Sequence, residues 1–337
     1  MLYFRHPSSL EHDPTVRSPG HPDAPERIVA IEAEMTRQGW LGCEVSDAPA
    51  ATELELGLVH ASSQIKTIHD LCASGGGAID ADTFVGEESY EAALHAAGGA
   101  CELVRALVRG DDRVGFSALR PSGHHAGHDY AMGFCLFNNV AVAAELAIRE
   151  LGVRRVLIVD WDVHHGNGTA HVFRHRSDVL FASIHQRGLF PGTGSVADAG
   201  AGDGLGYTIN VPVPTGSGDE IWISVLEHVI VPAGLEFEPE LVLISAGFDA
   251  HRDDPLGQCR LNAGSFARMA CHVRELALRV GAPIGAVLEG GYDPRALAES
   301  VAATIAALDG SGTVEHVGPD ARVTARVAEQ VGHFWAL

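Results

Sequence analysis

Four stretches of the chain are almost wholly apolar, and each gives way abruptly to polar residues. Val156 to Val159 runs V-L-I-V into D-W-D-V-H-H-G-N-G-T, Leu241 to Ser245 leads into A-G-F-D-A-H-R-D-D-P-L-G, G-A-V-L-E leads into G-G-Y-D, and Val114 to Leu119 leads into R-P-S-G-H-H-A-G. Short apolar runs rich in β-branched residues predict strands buried on both faces. Val179 to Ile184 and Y-T-I-N-V-P-V read as two further strands. Between these runs the apolar spacing changes to a helical one. P-E-R-I-V-A-I-E-A-E-M has Pro25 suited to an early helical position, an Ala-rich helix ends near Gly110, and V-A-V-A-A-E-L-A-I-R is opened by Asn138 or Asn139. D-E-I-W-I-S-V-L-E-H-V-I, Phe266 to Val280 and a final segment complete the set.

Strands alternating with helices predict an α/β fold, an open and mostly parallel sheet flanked by helices. No stretch reads as a linker, so residues 1–337 are expected to form a single domain. In such sheets ligands gather outside the carboxyl ends of the strands. Four of those ends carry His124 and His125, then Asp160 to His165, then Asp249, then Tyr292.

Alternation along an extended chain would project Asp160, Asp162 and His164 to one side. A carboxylate and an imidazole suit zinc or another divalent first-row metal, and a catalytic site needs a third ligand and an open position. The alternative is a loop whose acids and histidines only hydrogen-bond the backbone. His124 and His125 are open to three roles: metal ligands, an acid/base pair, or ordinary loop residues. Phe134 in M-G-F-C-L-F-N-N and Phe190 on a Pro/Gly-rich loop could be core or pocket wall. Arg27, in H-P-D-A-P-E-R, reads first as a structural ion-pair partner. Asp80 and Asp82, in the Gly- and Asp-rich stretch from Ala73 to Glu88, are turn acids or a grip on substrate. The glycine run there lacks a following G-K-[ST], which argues against phosphate cradling.

Composition narrows the function. Hydrophobic residues make up 46% of the 337 positions, enough for a large core, and a formal charge of −21 opposes binding to nucleic acid. The acid surplus serves solubility and would only weakly steer cationic partners. Six scattered cysteines without C-x-x-C spacing predict reduced, buried thiols. No apolar run has signal-peptide or membrane-span character, so a cytoplasmic location away from membranes is expected. Three metal ligands, a histidine pair and a phenol are the parts for hydrolysing an amide by activated water, and no Ser or Cys sits in an elbow motif to compete.

The motifs R-P-S-G-H-H-A, G-F-C-L-F-N-N, D-W-D-V-H-H-G-N-G-T, F-P-G-T-G, S-A-G-F-D-A-H-R-D-D-P-L-G and E-G-G-Y stand in one order between Arg120 and Tyr292. By them the chain resembles the histone deacetylase family, whose fold is shared with the arginases, and most of all its class II and bacterial amidohydrolase members. The resemblance implies zinc on Asp162, His164 and Asp249, and His125 as general base and acid with His124 beside it. It implies further that Asp160 orients His124, that Asn167 stands where many members have an Asp orienting the other histidine, and that Tyr292 polarises the acyl carbonyl. Gly133, Phe134 and Phe190 match the acyl-lysine tunnel, and Asp82 matches the acid that holds substrate backbone. A potassium ion would lie among Asp160, Asp162, His164, Ser183 and Ile184. Leu256 occupies a position where polyamine-selective relatives can carry Glu, which favours acetyl-lysine in peptides or proteins over acetylated polyamines or other small acylamines. A non-catalytic acyl-ligand binder and a binuclear arginase-like hydrolase are the other readings, and the oligomeric state is left open.

Overall fold

The computed structural model describes all 337 residues. Ten strands form in chain order: β1 (Leu2–Arg5), β2 (Glu44–Asp47), β3 (Gly77–Ala78), β4 (Phe84–Val85), β5 (Val114–Ser117), β6 (Val156–Asp160), β7 (Val179–Gln186), β8 (Thr208–Val213), β9 (Leu241–Ala246) and β10 (Ile284–Leu288). Eight of them make one sheet in the order β2-β1-β5-β10-β9-β6-β7-β8, with every neighbouring pair parallel. β3 and β4 form a separate antiparallel ladder inside the Gly- and Asp-rich stretch that reads as a loop.

The predicted strands recur with small changes of length. β5 stops at Ser117, two residues short of the expected end, and β7 runs on to Gln186. β6 shows why the apolar runs are continuous. Leu157 and Val159 face a core that includes Trp222, Ile244 and Phe266, while Val156 and Ile158 face a second core with Ala141, Phe181 and Leu243. Each such side chain is completely buried, a gain of about 1.5–3 kcal/mol apiece.

Helices cover both faces. Asn138 caps the helix Asn139–Glu150 by accepting from the Ala141 N–H, and Gly110 ends the helix Ser89–Arg109 in a left-handed conformation. The last helix, Val323–Val331, places Val327 and Val331 in the first of the two cores. No helix is long and apolar enough to cross a membrane, and all six cysteines are free thiols. What positions the chemistry is the strand order. β5, β10, β9 and β6 are consecutive neighbours, so the four polar segments at their carboxyl ends emerge side by side.

Candidate active site

Asp162 and His164 do come together, but not by strand alternation. β6 ends at Asp160, and the chain then turns through two side-chain-to-backbone bonds: Asp162 N–H donates to Asp160 Oδ1 (3.1 Å) and His164 N–H to Asp162 Oδ1 (2.8 Å). Short carboxylates bonding the N–H two residues on favour such turns over extended chain. Asp249, just past β9, joins them from the neighbouring strand. Its Oδ1 accepts the Val163 N–H (2.7 Å), and His164 Nδ1 lies 3.0 Å from its Oδ2 and 3.1 Å from Asp162 Oδ1.

One ligand atom from each of Asp162, His164 and Asp249 falls within 4.8 Å of the others, and all three residues are buried. Burial and the nearby Asp162 push Asp249 up to about 7. Burial opposes a charge on His164, yet Asp249 and Asp162 outweigh it and raise the imidazole to about 10. Two buried carboxylates against one imidazole form a pocket of negative charge that a divalent cation would neutralise. The backbone closes around it. Gly290 N–H donates to Asp162 Oδ2 (2.8 Å), and a Cβ at Gly290 would collide with the carboxylates of Asp249 and Asp162. The donor set and its enclosure therefore fit a small metal ion.

His124 and His125 sit beside this group in different electrostatic settings. His124 Nδ1–H donates to Asp160 Oδ2 (3.0 Å), and although burial works against its charge, Asp162, Asp160 and Glu289 hold it well above the ordinary histidine range. His125 Nδ1–H donates to Asn167 Oδ1 (2.7 Å), and burial followed by the positive His124 and His164 pulls it well below that range. A neutral His125 with Nδ1 engaged leaves Nε2 free to accept a proton. Asn167 is itself held by Tyr130, whose hydroxyl accepts from its Nδ2 (3.3 Å). Ser183 and Ile184 are buried on β7, where Ser183 pairs in register with Asp160. The carboxyl of Asp160 is raised by burial, which His124 only partly offsets.

A slot of about 230 Å³ opens onto these groups, lined by Asp82, His125, Gly133, Phe134, His164, Leu189, Phe190, Leu256 and Tyr292. Phe190 meets the His125 ring edge-on at 5.1 Å, and Phe134 meets Tyr292 at 5.7 Å. Phe134 adopts φ +67°, a conformation costly for a bulky side chain, and its N–H donates to Thr83 Oγ1 (3.1 Å) beside Asp82. At Gly133 (φ +57°) a Cβ would stand 2.6 Å from His125 Cδ2 and 2.8 Å from Phe190 Cε1. Gly133→Ala should therefore lower kcat/KM roughly five- to 150-fold, the counterpart of about 1–3 kcal/mol of overpacking. Steady-state kinetics beside a circular-dichroism melt would check this, and unchanged kinetics in a folded variant would count against the slot as the reacting-group site.

Two residues have a larger part in the geometry than the sequence suggests. Glu289, just past β10, is fully buried and accepts the N–H groups of Gly123 (2.7 Å) and His124 (3.1 Å) on one oxygen and the Ser245 hydroxyl (2.9 Å) on the other. It fixes the start of the histidine segment. Arg27 pairs with Asp23 (2.6 Å), as an ion-pair reading expects, but also donates to the carbonyls of Gly291 (2.6 Å) and Glu289 and lies over the Tyr292 ring, 4.9 Å from its centroid. Both stand in motifs of the sequence, E-G-G-Y and H-P-D-A-P-E-R, yet apart from Asp23 their partners lie far off in the chain.

Comparison with known proteins places the chain in a family. Residues 21–308 match the family model of the histone deacetylase domain. Histone deacetylase 15 of Arabidopsis thaliana is 40% identical over 301 residues, covering 88% of this chain and 54% of that protein, so the chain spans about half the length of this relative. Polyamine deacetylase HDAC10 of Homo sapiens is 38% identical over 88% of this chain and 46% of its own length. The crystal structure of the HDA15 HD domain superposes with a TM-score of 0.92 at 37% identity, covering 99% of this chain and 94% of that one.

Proposed function

The chain belongs to the histone deacetylase family, and from that premise we propose that it is a zinc-dependent amidohydrolase removing acetyl groups from N-acetyl-lysine in peptides or proteins. The observation that carries the reading is the slot itself: two aromatic walls lead to a floor where His125, His164 and Tyr292 converge. Zinc would be held by Asp162, His164 and Asp249 and, when bound, supplies positive charge that polarises the acyl carbonyl and acidifies water. Phe134 and Phe190 enclose the methylene chain and exclude bulk water. His125 takes a proton from water at Nε2 as oxygen adds to the carbonyl, its Nδ1–H held by Asn167. Tyr292, whose phenol burial keeps protonated, donates its O–H to the developing oxyanion. As the C–N bond breaks, the proton returns from His125 to the departing amine, giving acetate and free lysine. His124, paired with Asp160, adds positive charge beside the reacting carbon. A potassium ion among Asp160, Asp162, His164, Ser183 and Ile184 belongs to the same proposal, and it would offset the buried carboxylate of Asp160.

A second reading, acetylpolyamine hydrolysis, is supported by the likeness to the human polyamine deacetylase and by Asp82 at the slot. Against it stands Leu256, an apolar residue lining the slot. Side-by-side kcat/KM of the zinc-loaded protein on an acetyl-lysine peptide, N-acetylputrescine and N-acetylspermidine decides between them. The peptide is expected to be preferred at least about tenfold, a difference of about 1.4 kcal/mol in transition-state binding; preference for the polyamines would reverse the assignment.

A further inference from the structure

The loop from Arg187 to Val196 borders two cavities. Phe190 walls the slot, while Gly192 to Val196 line a separate cavity of about 560 Å³, completed by Pro212 and Pro214 beyond the middle of β8 and by Arg322 and Arg326 at the start of the last helix. Arg187, Arg322 and Arg326 all border this second cavity, and no acid does. The chain has 44 acidic and 23 basic residues, so a cavity bordered by three arginines and no acid runs against the overall balance. The three around the cavity have no carboxylate within 4.0 Å. Thr193, Gly194 and Ser195 on the same wall have N–H groups that find no acceptor in the chain. Successive free N–H groups beside guanidinium ions favour an anion, and guanidinium matches a carboxylate through two parallel bonds.

We propose that this cavity recognises acidic side chains of the acetylated peptide, three or four residues from the acetyl-lysine in the slot. The proposal rests on the deacetylase reading given above. Thr193 follows Phe190 by three residues, at most about 11 Å of chain, and an extended peptide covers a similar span in three or four residues. The shared loop is anchored from below: His165 Nδ1 pairs with Thr193 Oγ1 (2.7 Å), and His185 Nε2–H donates to the Gly194 carbonyl (2.9 Å). The slot wall and the cavity wall are thus parts of one fixed segment. The net charge of −21 would repel an acidic peptide at long range, but salt screens charges beyond about 8 Å at physiological ionic strength. Local sign then decides, and here it is positive. A cationic polyamine tail finds no partner in this cavity.

The test uses acetyl-lysine peptides that differ only by Glu or Gln at the third and fourth positions before, or after, the acetyl-lysine. On one side the Glu peptide should be favoured roughly tenfold in kcat/KM through KM, the scale of a few exposed ion pairs acting together. Combining R187Q, R322Q and R326Q should bring Glu and Gln peptides to parity while turnover of the Gln peptide stays at the wild-type rate, and added salt should shrink the wild-type preference. Equal rates on both peptides in the wild type, or a preference that survives the three substitutions, would overturn the proposal. So would arginine-dependent binding of inorganic phosphate without any peptide preference, which makes the cavity a small-anion site. Fluorescence anisotropy with the same peptides reads the cavity without turnover. A Glu preference in binding with no turnover of either peptide would uphold the cavity and sink the deacetylase reading alone.

Discussion

Tyr292→Phe should leave metal content and thermal stability near the wild-type values and lower kcat on an acetyl-lysine peptide by roughly a hundredfold or more, the scale for removing one donor to an oxyanion. The ring is fixed independently of its hydroxyl. Arg27 lies over it, Phe134 meets it at 5.7 Å, and the Tyr292 N–H is bound by Asp254 Oδ2 at 2.6 Å. Asp254 also accepts from the Leu256 and Gly257 N–H groups, tying the phenol's backbone to the segment that carries Leu256 into the slot. Phenylalanine keeps all of these contacts, so the slot retains its shape and substrate binding should change little. The effect should fall on kcat with KM almost constant, because the hydroxyl matters most when charge develops on the carbonyl oxygen. A rate equal to wild type would remove Tyr292 from the chemistry, whereas a large rise in KM alone would make it a binding residue.

The central strands were legible because they are buried on both faces. Continuous apolar runs such as Val156 to Val159 and Leu241 to Ser245 have no competing helical or alternating pattern, and each ends in a polar segment that marks the carboxyl edge. β1 and β2 were not legible. Each has four residues, and β2, E-V-S-D at the edge of the sheet, has no completely buried position, so neither carries a periodic signal. Asp162, His164 and Asp249 could be grouped from their places after strands, yet the turn that aims the first two is built from backbone bonds to carboxylates and not from extended chain. Glu289 escaped because its work is to accept N–H groups 165 and 166 residues away, a contact created only when β10 pairs with β5. The grouping of Arg187, Arg322 and Arg326 is likewise tertiary, joining a loop after β7 to a helix far along the chain.

Asp249→Asn should abolish metal binding and reduce activity below about 1% of wild type while the fold persists. Asparagine is the informative substitution because its side-chain oxygen can still accept the Val163 N–H that Asp249 Oδ1 takes at 2.7 Å. Alanine would strand that buried donor at a cost of about 1–3 kcal/mol and so mix a folding defect with the loss of a ligand. In the metal-free wild type Asp162 and Asp249 face each other as buried acids, with Asp249 pushed up to about 7 first by burial and then by Asp162. Asparagine relieves that repulsion but also removes the carboxylate that pairs with His164 at 3.0 Å, leaving Asp162 to balance the imidazole, so metal-free Asp249→Asn should melt close to metal-free wild type. Added zinc should then stabilise the wild type by about 2.7 kcal/mol at a hundredfold excess over its Kd and leave the variant's melting temperature unmoved. Calorimetry with and without zinc, beside metal analysis of the dialysed proteins, separates the outcomes. A variant that still gains stability from zinc places the metal elsewhere, and one that loses activity but keeps a full complement of metal assigns Asp249 to the reaction and not to the ion.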